Sequence, residues 1–229
     1  MLLHGSGGNR ATWFQQVVDL APDFTVVVVE ARGAGRSTDV HATSGPMAGA
    51  LDLEAVRQHL GLERWHVVGH SLGGWTTLRY AVRHPSRCAS VVALNSLAGV
   101  FPPEAEAFWE RFTAQLAWPP QELGRPLSLT STFCDDRPDL AYLYQLVNAL
   151  NPPPAPDIPA MRIRDFDLDR TPLPAIFVTG ELDPIAPPDV VRACAASVGA
   201  QVEILDGVGH LAVWEQPALV NATLRRLLA

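Results

Sequence analysis

Cysteine is scarce in this chain, which has only three among its 229 residues and no Cys-x-x-Cys pair. Disulfide frameworks need an even set of cysteines, and structural zinc sites need ligands paired at short spacing. We therefore expect neither a disulfide framework nor a zinc site, and we predict a reducing, cytoplasmic setting. The three cysteines are Cys88, Cys134 and Cys194.

Long apolar runs and runs of basic residues are also missing. The longest apolar stretches, such as residues 26–29, are far shorter than the roughly 20 residues that span a bilayer. No charged leader with an apolar segment precedes His4. The formal net charge of −7 disfavours nucleic acid and anionic membrane surfaces as partners. We expect the partner to be a small-molecule substrate.

Motifs that bind cofactors or metals are likewise absent. No G-x-G-x-x-G loop opens a helix with an acidic residue downstream, and no P-loop lysine is present. No group of His, Cys and Asp residues has metal-ligand spacing. The sequence therefore predicts neither a cofactor nor a metal ion.

The residues that are present favour an α/β fold. Apolar residues make up 48% of the chain, which is enough for one domain with a sizeable core. Short β-branched runs alternate with longer amphipathic stretches, a pattern typical of βαβ units in a parallel sheet. The predicted strands are residues 1–3, 25–29, 65–68, 90–94, 175–179 and 201–205. The predicted helices are residues 13–20, 47–60, 73–84, 187–198 and 216–228.

The segment 96–170 breaks this alternation. It contains no convincing strand, many aromatic residues and a proline cluster at residues 152–154. We interpret it as a helical lid inserted over the carboxyl edge of the sheet, between core segments 1–95 and 171–229. The alternative is that it adds helices to a flank of the sheet, and the aromatic residues alone do not decide between the two.

Residues 69–74 read Gly-His-Ser-Leu-Gly-Gly and carry the sharpest chemical signal. The segment follows a predicted strand and precedes a predicted helix, as a nucleophile elbow does. Side chains two positions either side of Ser71 would collide, and Gly69 and Gly73 avoid this. The turn directs the amide of Leu72 toward a developing oxyanion. The alternative is a glycine-rich turn with a structural serine.

A nucleophilic serine needs a base, and the base needs a carboxylate that orients it. His210 lies on a glycine-flanked loop after the last predicted strand and is the predicted base. Asp183 follows the strand 175–179 and is the predicted orienting acid, with Glu181 as the alternative. No acid follows the strand 90–94. The other histidines are interpreted as structural or solvated, and His70 is expected to face away from the serine: His4, His41, His59, His66, His70 and His84.

A second glycine-rich loop, residues 4–8, follows the first predicted strand. It can offer another backbone amide to an oxyanion, and we assign that amide to Ser6. Alone, such a loop is usually only a flexible turn. Small-ligand sites are mostly apolar, so large aromatic residues are candidate pocket walls, with core packing as the equal alternative. These candidates are Trp13, Trp75, Phe101, Trp118 and Trp214.

Together these motifs resemble α/β-hydrolases of the compact group that contains enol-lactonases, carboxylesterases, cofactor-free haloperoxidases and C–C bond hydrolases. The resemblance rests on residues 4–8, 32–37, 69–74, 180–183 and 209–210 with 215–217. It spans residues 4–97 and 174–228 and implies the α/β-hydrolase fold. It also implies that residues 32–37 form a turn after a strand, which makes Arg32 structural.

The expected activity is hydrolysis of a small, largely apolar ester or lactone through an acyl-enzyme on Ser71. Cleavage of a C–C bond in a diketone-like substrate by the same three residues is the enzymatic alternative. The alternative from another class is a sensor that keeps the site but signals through its lid.

The start of the chain departs from the family pattern, because at most three strand residues precede His4. The first two strands of the usual sheet are missing, so the strand from Thr25 to Val29 becomes an exposed apolar edge. Such edges favour pairing with other chains. We expect either that the natural start lies upstream or that a homodimer covers this edge.

Overall fold

The computed structural model describes residues 1–40, 42–43, 45–115, 124–151, 162–163 and 175–229. Six strands of this part form one parallel sheet in the order β2-β1-β3-β4-β5-β6. Their bounds are β1 Leu2–Leu3, β2 Val28–Val29, β3 Trp65–His70, β4 Cys88–Leu94, β5 Ala175–Gly180 and β6 Gln201–Leu205. The predicted α/β class and parallel sheet are therefore confirmed.

Helices connect the strands on both faces of the sheet. In the described residues, the α-helices are α1 Phe14–Leu20, α2 Pro46–His59, α3 Leu72–Arg83, α4 Pro103–Gln115, α5 Ser131–Asp136, α6 Pro138–Ala149, α7 Pro188–Ser197, α8 Ala212–Glu215 and α9 Pro217–Leu228. Single 3-10 turns cover Arg10–Trp13 and Pro85–Arg87. Some residues named in the sequence predictions lie outside the described residues, namely His41, Trp118 and the prolines at 152–154.

The sheet separates two hydrophobic cores, because successive side chains of a strand point to opposite faces. In β4, Val91 and Ala93 belong to one core, while Val92 and Leu94 belong to the other. Helices α2, α3, α4 and α7 pack on the first face. Helices α1, α5, α6, α8 and α9 pack on the second face. Burial on both faces explains why the central strands are nearly continuous apolar runs.

The order of the strands creates a switch point between β1 and β3. The chain moves outward from β1 to β2 and then crosses back, so that β3 lies on the other side of β1. Leu3 pairs with Gly69 at the carboxyl ends of these two strands. Ligands of open α/β sheets bind in the crevice where the connections diverge in this way. The glycine loop after β1 and Ser71 after β3 therefore meet at the same crevice.

The second strand differs from its prediction in length. Only Val28–Val29 forms a strand, because its partner β1 is equally short. Val27 and Val29 pack against one core, and Val26 and Val28 pack against the other. The strand does lie at the edge of the sheet, but its side chains are half-buried rather than exposed. A homodimer at this edge stays a prediction.

The described residues of the middle segment form helices α4, α5 and α6. Helix α4 adds Ala105 to the first core, whereas α5 and α6 add Cys134 and Ala141 to the second. The amide of Leu211 donates to Ser128 (2.9 Å), so this segment also contacts the loop after β6. The lid and its boundaries at 96 and 170 stay a prediction. Among the described residues, no helix is long and apolar enough to cross a membrane.

Candidate active site

The turn after β3 has the strained backbone of a nucleophile elbow. Ser71 adopts φ 52° and ψ −121°, a conformation that L residues rarely adopt. A Cβ on Gly73 would lie 2.6 Å from the carbonyl oxygens of Leu3 and His4, and a Cβ on Gly69 would overlap the backbone of Gly73. The steric requirement for both glycines is thus confirmed. It allows the strand and the helix to approach closely around Ser71.

Three side chains from different strand ends form one hydrogen-bonded chain. His210 Nε2 lies 3.0 Å from Ser71 Oγ, and His210 Nδ1 lies 2.9 Å from Asp183 Oδ2. His210 and Asp183 are buried, with 4% and 2% of their surface exposed, whereas Ser71 is half-buried. Glu181 does not reach the histidine; its carboxylate accepts from the amide of Gly207. The structure therefore places Asp183, and not Glu181, in contact with His210.

Asp183 is surrounded by donors that stabilise its negative charge. Burial alone would raise its pKa, but the neighbouring His210 and the hydrogen bonds outweigh burial and lower it. Besides the histidine, Oδ1 accepts from the amides of Ile185 and Ala186, each at 2.8 Å. A charged Asp183 holds the proton of His210 on Nδ1, which leaves the lone pair of Nε2 facing Ser71.

Asn95 is a site residue that the sequence analysis missed. It follows β4, has a positive φ of 49° and is fully buried. Its Nδ2 donates to Asp183 Oδ2 (2.9 Å) and to the carbonyl of Gly209 (3.1 Å). Asn95 therefore ties the acid to the loop of the base. Its position directly after the strand next to β5 was the available signal.

The side chain of His70 contacts the backbone of the loop that contains His210. Its Nε2 donates to the carbonyl of His210 at 2.9 Å, and the two rings lie 5.1 Å apart. Burial, followed by the effect of the neighbouring His210, lowers the pKa of His70 to about 3, so its ring is neutral. The structural interpretation of His70 fits these contacts, but sequence did not indicate that its partner is the backbone of His210.

Glu215 is another buried group that the sequence analysis did not assign. Its carboxylate accepts from the amide of Gly209 (3.3 Å) and from Thr130 Oγ1 (2.7 Å). Burial raises its pKa. Glu215 therefore joins the loop before His210 to Thr130, the residue that caps the start of α5. The signal was its place in the segment 215–217 that supports the family resemblance.

Two backbone amides are available near Ser71. Leu72 is the first residue of α3, so its amide has no acceptor within the helix. The loop after β1 passes directly beside the serine, since a Cβ on Gly5 would lie 2.8 Å from Ser71 Cβ. Among the described residues, no group accepts a hydrogen bond from the amide of Leu72 or Ser6. Both amides can thus serve a developing oxyanion.

His4 sets the orientation of the Ser6 amide. The carbonyl of Gly5 accepts from His4 Nδ1 (2.8 Å) and from the amide of Gly8 (3.2 Å). Because the peptide between Gly5 and Ser6 is planar, fixing this carbonyl also fixes the opposite N–H, that of Ser6. His4 Nε2 accepts from the amide of Ala31 (3.0 Å), and burial lowers the pKa of the ring. His4 is therefore neutral, with its proton on Nδ1.

A sequence profile described as "alpha/beta hydrolase fold" matches residues 1–130, which is more than half of the chain. The chain belongs to the α/β-hydrolase family. Among curated relatives of this hydrolase, a putative carbamate hydrolase, RutD, from Caulobacter sp. (strain K31) is 28% identical over the whole chain and 90% of that protein. A putative carbamate hydrolase RutD from Rhizobium rhizogenes is 34% identical, but over 47% of the chain and only 42% of that protein.

Solved structures of other α/β-hydrolases superpose on the whole molecule. A thermophilic esterase from Thermogutta terrifontis has a TM-score of 0.76 at 25% identity, over 100% of this chain and 89% of that chain. Est816, an enzyme that degrades N-acyl homoserine lactones, has a TM-score of 0.77 at 28% identity, over 98% and 91%. The enol-lactonase from Burkholderia xenovorans has a TM-score of 0.74 at 22% identity over 99% and 90%, which shows the fold alone.

Two of the aromatic pocket candidates of this hydrolase are core residues instead. Trp13 and Trp214 are 0% and 1% exposed, so they present no surface to a ligand in solution. Trp214 donates its Nε1 proton to the carbonyl of Thr12. The assignment of both as pocket walls was wrong, because the second core of the sheet extends up to this edge and encloses them.

The other two candidates among the described residues, Trp75 and Phe101, pack against each other. Trp75 is buried, with 4% exposed, and packs edge-on against the half-buried Phe101 with ring centroids 5.4 Å apart. The guanidinium of Arg162 lies over the Phe101 ring, with its carbon 4.3 Å from the ring centroid. A role for Trp75 and Phe101 in binding stays a prediction.

Arg32, for which the family resemblance implies a structural role, pairs with a carboxylate. Its guanidinium forms a bidentate pair with Asp52, with distances of 3.1 and 2.5 Å.

Within the described residues, no group of His, Cys, Asp and Glu side chains could hold a metal ion. A groove of about 490 Å³ lies beside the Asp183 loop, between Leu182 and Thr130, but neither Ser71 nor Ser6 lines it.

Proposed function

We propose that this α/β hydrolase is a serine hydrolase that cleaves a small ester or lactone through an acyl-enzyme on Ser71. The observation that carries the proposal is the hydrogen-bonded chain from Ser71 through His210 to Asp183, with a strained serine at its start. A merely structural serine gives no reason for a backbone held in an unfavourable conformation.

The first step acylates the serine. Ser71 Oγ attacks the carbonyl carbon of the substrate while His210 Nε2 takes the hydroxyl proton, and the electron pair of the carbonyl moves onto its oxygen. The amides of Leu72 and Ser6 donate to that oxyanion. Collapse of the intermediate expels the alcohol, which takes the proton from His210 as it leaves.

The second step returns the enzyme to its starting state. Water attacks the acyl carbon with His210 again as the base, and collapse of this intermediate breaks the bond to Ser71 Oγ. The released carboxylic acid and the free serine hydroxyl complete the balance of atoms. The carboxylate of Asp183 stabilises the imidazolium that forms in each step, because it is charged and held in place.

The relatives support the substrate class. The esterase and the lactone-degrading enzyme with TM-scores above 0.75 cover nearly the whole chain. The carbamate hydrolase of 28% identity makes a carbamate the second candidate substrate. All three compounds present a carbonyl carbon to the same nucleophile. Aromatic side chains such as Trp75 and Phe101 suit an apolar acyl group.

The test is a panel of short-chain esters, lactones, carbamates and diketones, assayed with the wild-type protein and with Ser71→Ala. We expect turnover of an ester or a lactone and a loss of at least about 10⁴-fold in kcat for the variant. Circular dichroism of the variant should match that of the wild type. Turnover of diketones alone would identify a C–C bond hydrolase, and single-turnover cleavage would identify a sensor. Unchanged activity in Ser71→Ala would refute the proposal.

A further inference from the structure

Asn151, just after α6, contacts two loops of the core at once. Its Nδ2 donates to the carbonyl of Gly7 at 2.8 Å, within the loop that contains Ser6. Its Oδ1 accepts from the amide of Gly35 at 2.8 Å, in the turn after β2. A single side chain of the middle segment thus bridges the loops that follow the first two strands.

A second contact links the same two parts of the molecule. Asn9 Nδ2 donates to the carbonyl of Val147, in the last turn of α6, at 3.2 Å. Asn9 Oδ1 accepts from the amide of Ala11 (2.8 Å), so the side chain also caps the 3-10 turn after the loop. The end of α6 therefore contacts the glycine loop at Gly7 and the residue directly after that loop, Asn9.

These contacts restrain the Ser6 amide through the neighbouring peptides of its loop. The carbonyl of Gly5, on one side of Ser6, is held by His4 and Gly8. The carbonyl of Gly7 accepts from Asn151, and no other described residue donates to it. Because the peptide between Gly7 and Gly8 is planar, this contact also orients the Gly8 amide, which donates to the Gly5 carbonyl. Gly7 has a φ of +70° and, as a glycine, more backbone freedom than any other residue, so contacts from its neighbours restrict this part of the loop. Asn151 therefore supplies a hydrogen bond to the Gly7 carbonyl that the described residues of the loop do not provide.

We propose that Asn151 is a positioning residue for the oxyanion hole, through which the middle segment contributes to stabilisation of the transition state. This inference rests on the proposed serine hydrolase function. An oxyanion forms only during the reaction, so a displaced Ser6 amide lowers kcat while the substrate still binds. Loss of a whole oxyanion donor costs about 10²–10³ in kcat, and a donor that is only displaced costs less.

The sharpest variant is Asn151→Asp. The carboxylate can still accept from Gly35, but it cannot donate to Gly7, and its oxygen repels the Gly7 carbonyl. We expect kcat for the best ester of the panel to fall about tenfold, with KM within about twofold of the wild type. Asn151→Ser, which adds no charge, should lower kcat in the same direction and serves if the aspartate variant folds poorly.

The matched control is Leu150→Gln, at the neighbouring position, where the side chain is 76% exposed. It changes the end of α6 without touching the loop, so kcat, KM and the melting temperature should stay unchanged. A merely structural role for Asn151 would lower the melting temperature or raise KM and leave kcat as it is. That outcome would overturn the inference.

A tetrahedral inhibitor gives a second readout. An arylboronic acid that bonds to Ser71 Oγ places an anionic oxygen in the oxyanion hole, so its affinity should fall by about the same factor as kcat. Equal inhibition of wild type and both Asn151 variants would overturn the inference alone. Wild-type protein with no Ser71-dependent turnover would overturn the proposed function, and the inference with it.

Discussion

The carboxylate of Asp183 keeps His210 in the tautomer that can accept a proton from Ser71. Asp183→Asn retains the size of the side chain but presents an amide that stabilises the wrong tautomer. We expect kcat of ester hydrolysis to fall about 10³–10⁴-fold. Glu181→Gln, on the same loop, is the control and should stay within about twofold in kcat, because its partner is only the Gly207 amide. Equal losses in both variants, measured by steady-state kinetics, would contradict the assignment.

The buried ring of His70 makes stability depend on pH. Its pKa is lowered from 6.5 to about 3 in the folded protein, first of all by burial. Between about pH 3 and pH 6.5 the unfolded chain binds more protons than the folded one. The contribution of His70 to the free energy of unfolding is therefore fully present above pH 6.5 and is lost as the pH falls through this window.

His70→Gln tests this expectation. Glutamine cannot titrate but can still donate to the carbonyl of His210. We expect the free energy of unfolding of the variant, measured by urea denaturation across this pH window, to fall less steeply with acid than that of the wild type. Identical pH dependence in the two proteins would contradict the role of burial at His70.

Single residues differ in how well sequence predicts them. Ser71, His210 and Asp183 could be predicted, because each lies in a short motif directly after a strand. The partners that hold them could not, because these contacts join residues far apart in the chain. Asn95 lies 88 positions from Asp183, His70 lies 140 from His210, and Asn151 lies 144 from Gly7.

At the scale of elements, the elbow depends on the close approach of β3 and α3. A methyl group at Gly69 would overlap the backbone of Gly73, which cannot move without separating the strand from the helix. We expect Gly69→Ala to lower the free energy of unfolding by about 3 kcal/mol. The measurement is chemical denaturation monitored by tryptophan fluorescence.

Gly199→Ala is the control for this prediction. Gly199 has a φ of +68° but open space around its Cα, so alanine there adds backbone strain without overlap. Its cost should be about 1 kcal/mol. A cost at Gly69 no larger than that at Gly199 would mean that the strand and the helix are not closely packed at the elbow.

Local pattern predicted the first strand and the central strands well and the second strand poorly. The last strand matches its predicted bounds, because its five residues contain two β-branched side chains and lie between turns at Gly199 and Gly207. The strand from Thr25 to Val29 was predicted too long, since its length depends on how many residues of β1 pair with it. Trp13 and Trp214 were misassigned for a similar reason: sequence does not show whether a buried aromatic residue lies in the core or in a pocket.

The whole molecule brings the site together through the order of its strands. The divergence of the chain between β1 and β3 places the glycine loop and Ser71 side by side, while β5 and β6 deliver Asp183 and His210 to the same edge. The alternation of strands and helices predicted this architecture. It did not predict how the middle segment contacts the edge through α5 and α6, because that packing involves no repeated local pattern.

The central claim is that Ser71 is the nucleophile, and covalent labelling tests it most directly. The wild-type protein is treated with a fluorophosphonate, digested, and analysed by mass spectrometry for the modified residue. The claim predicts a single adduct on Ser71, with no labelling in Asp183→Asn on the same timescale because the base is misoriented. An adduct on another serine, or no adduct on the folded wild-type protein, would contradict it.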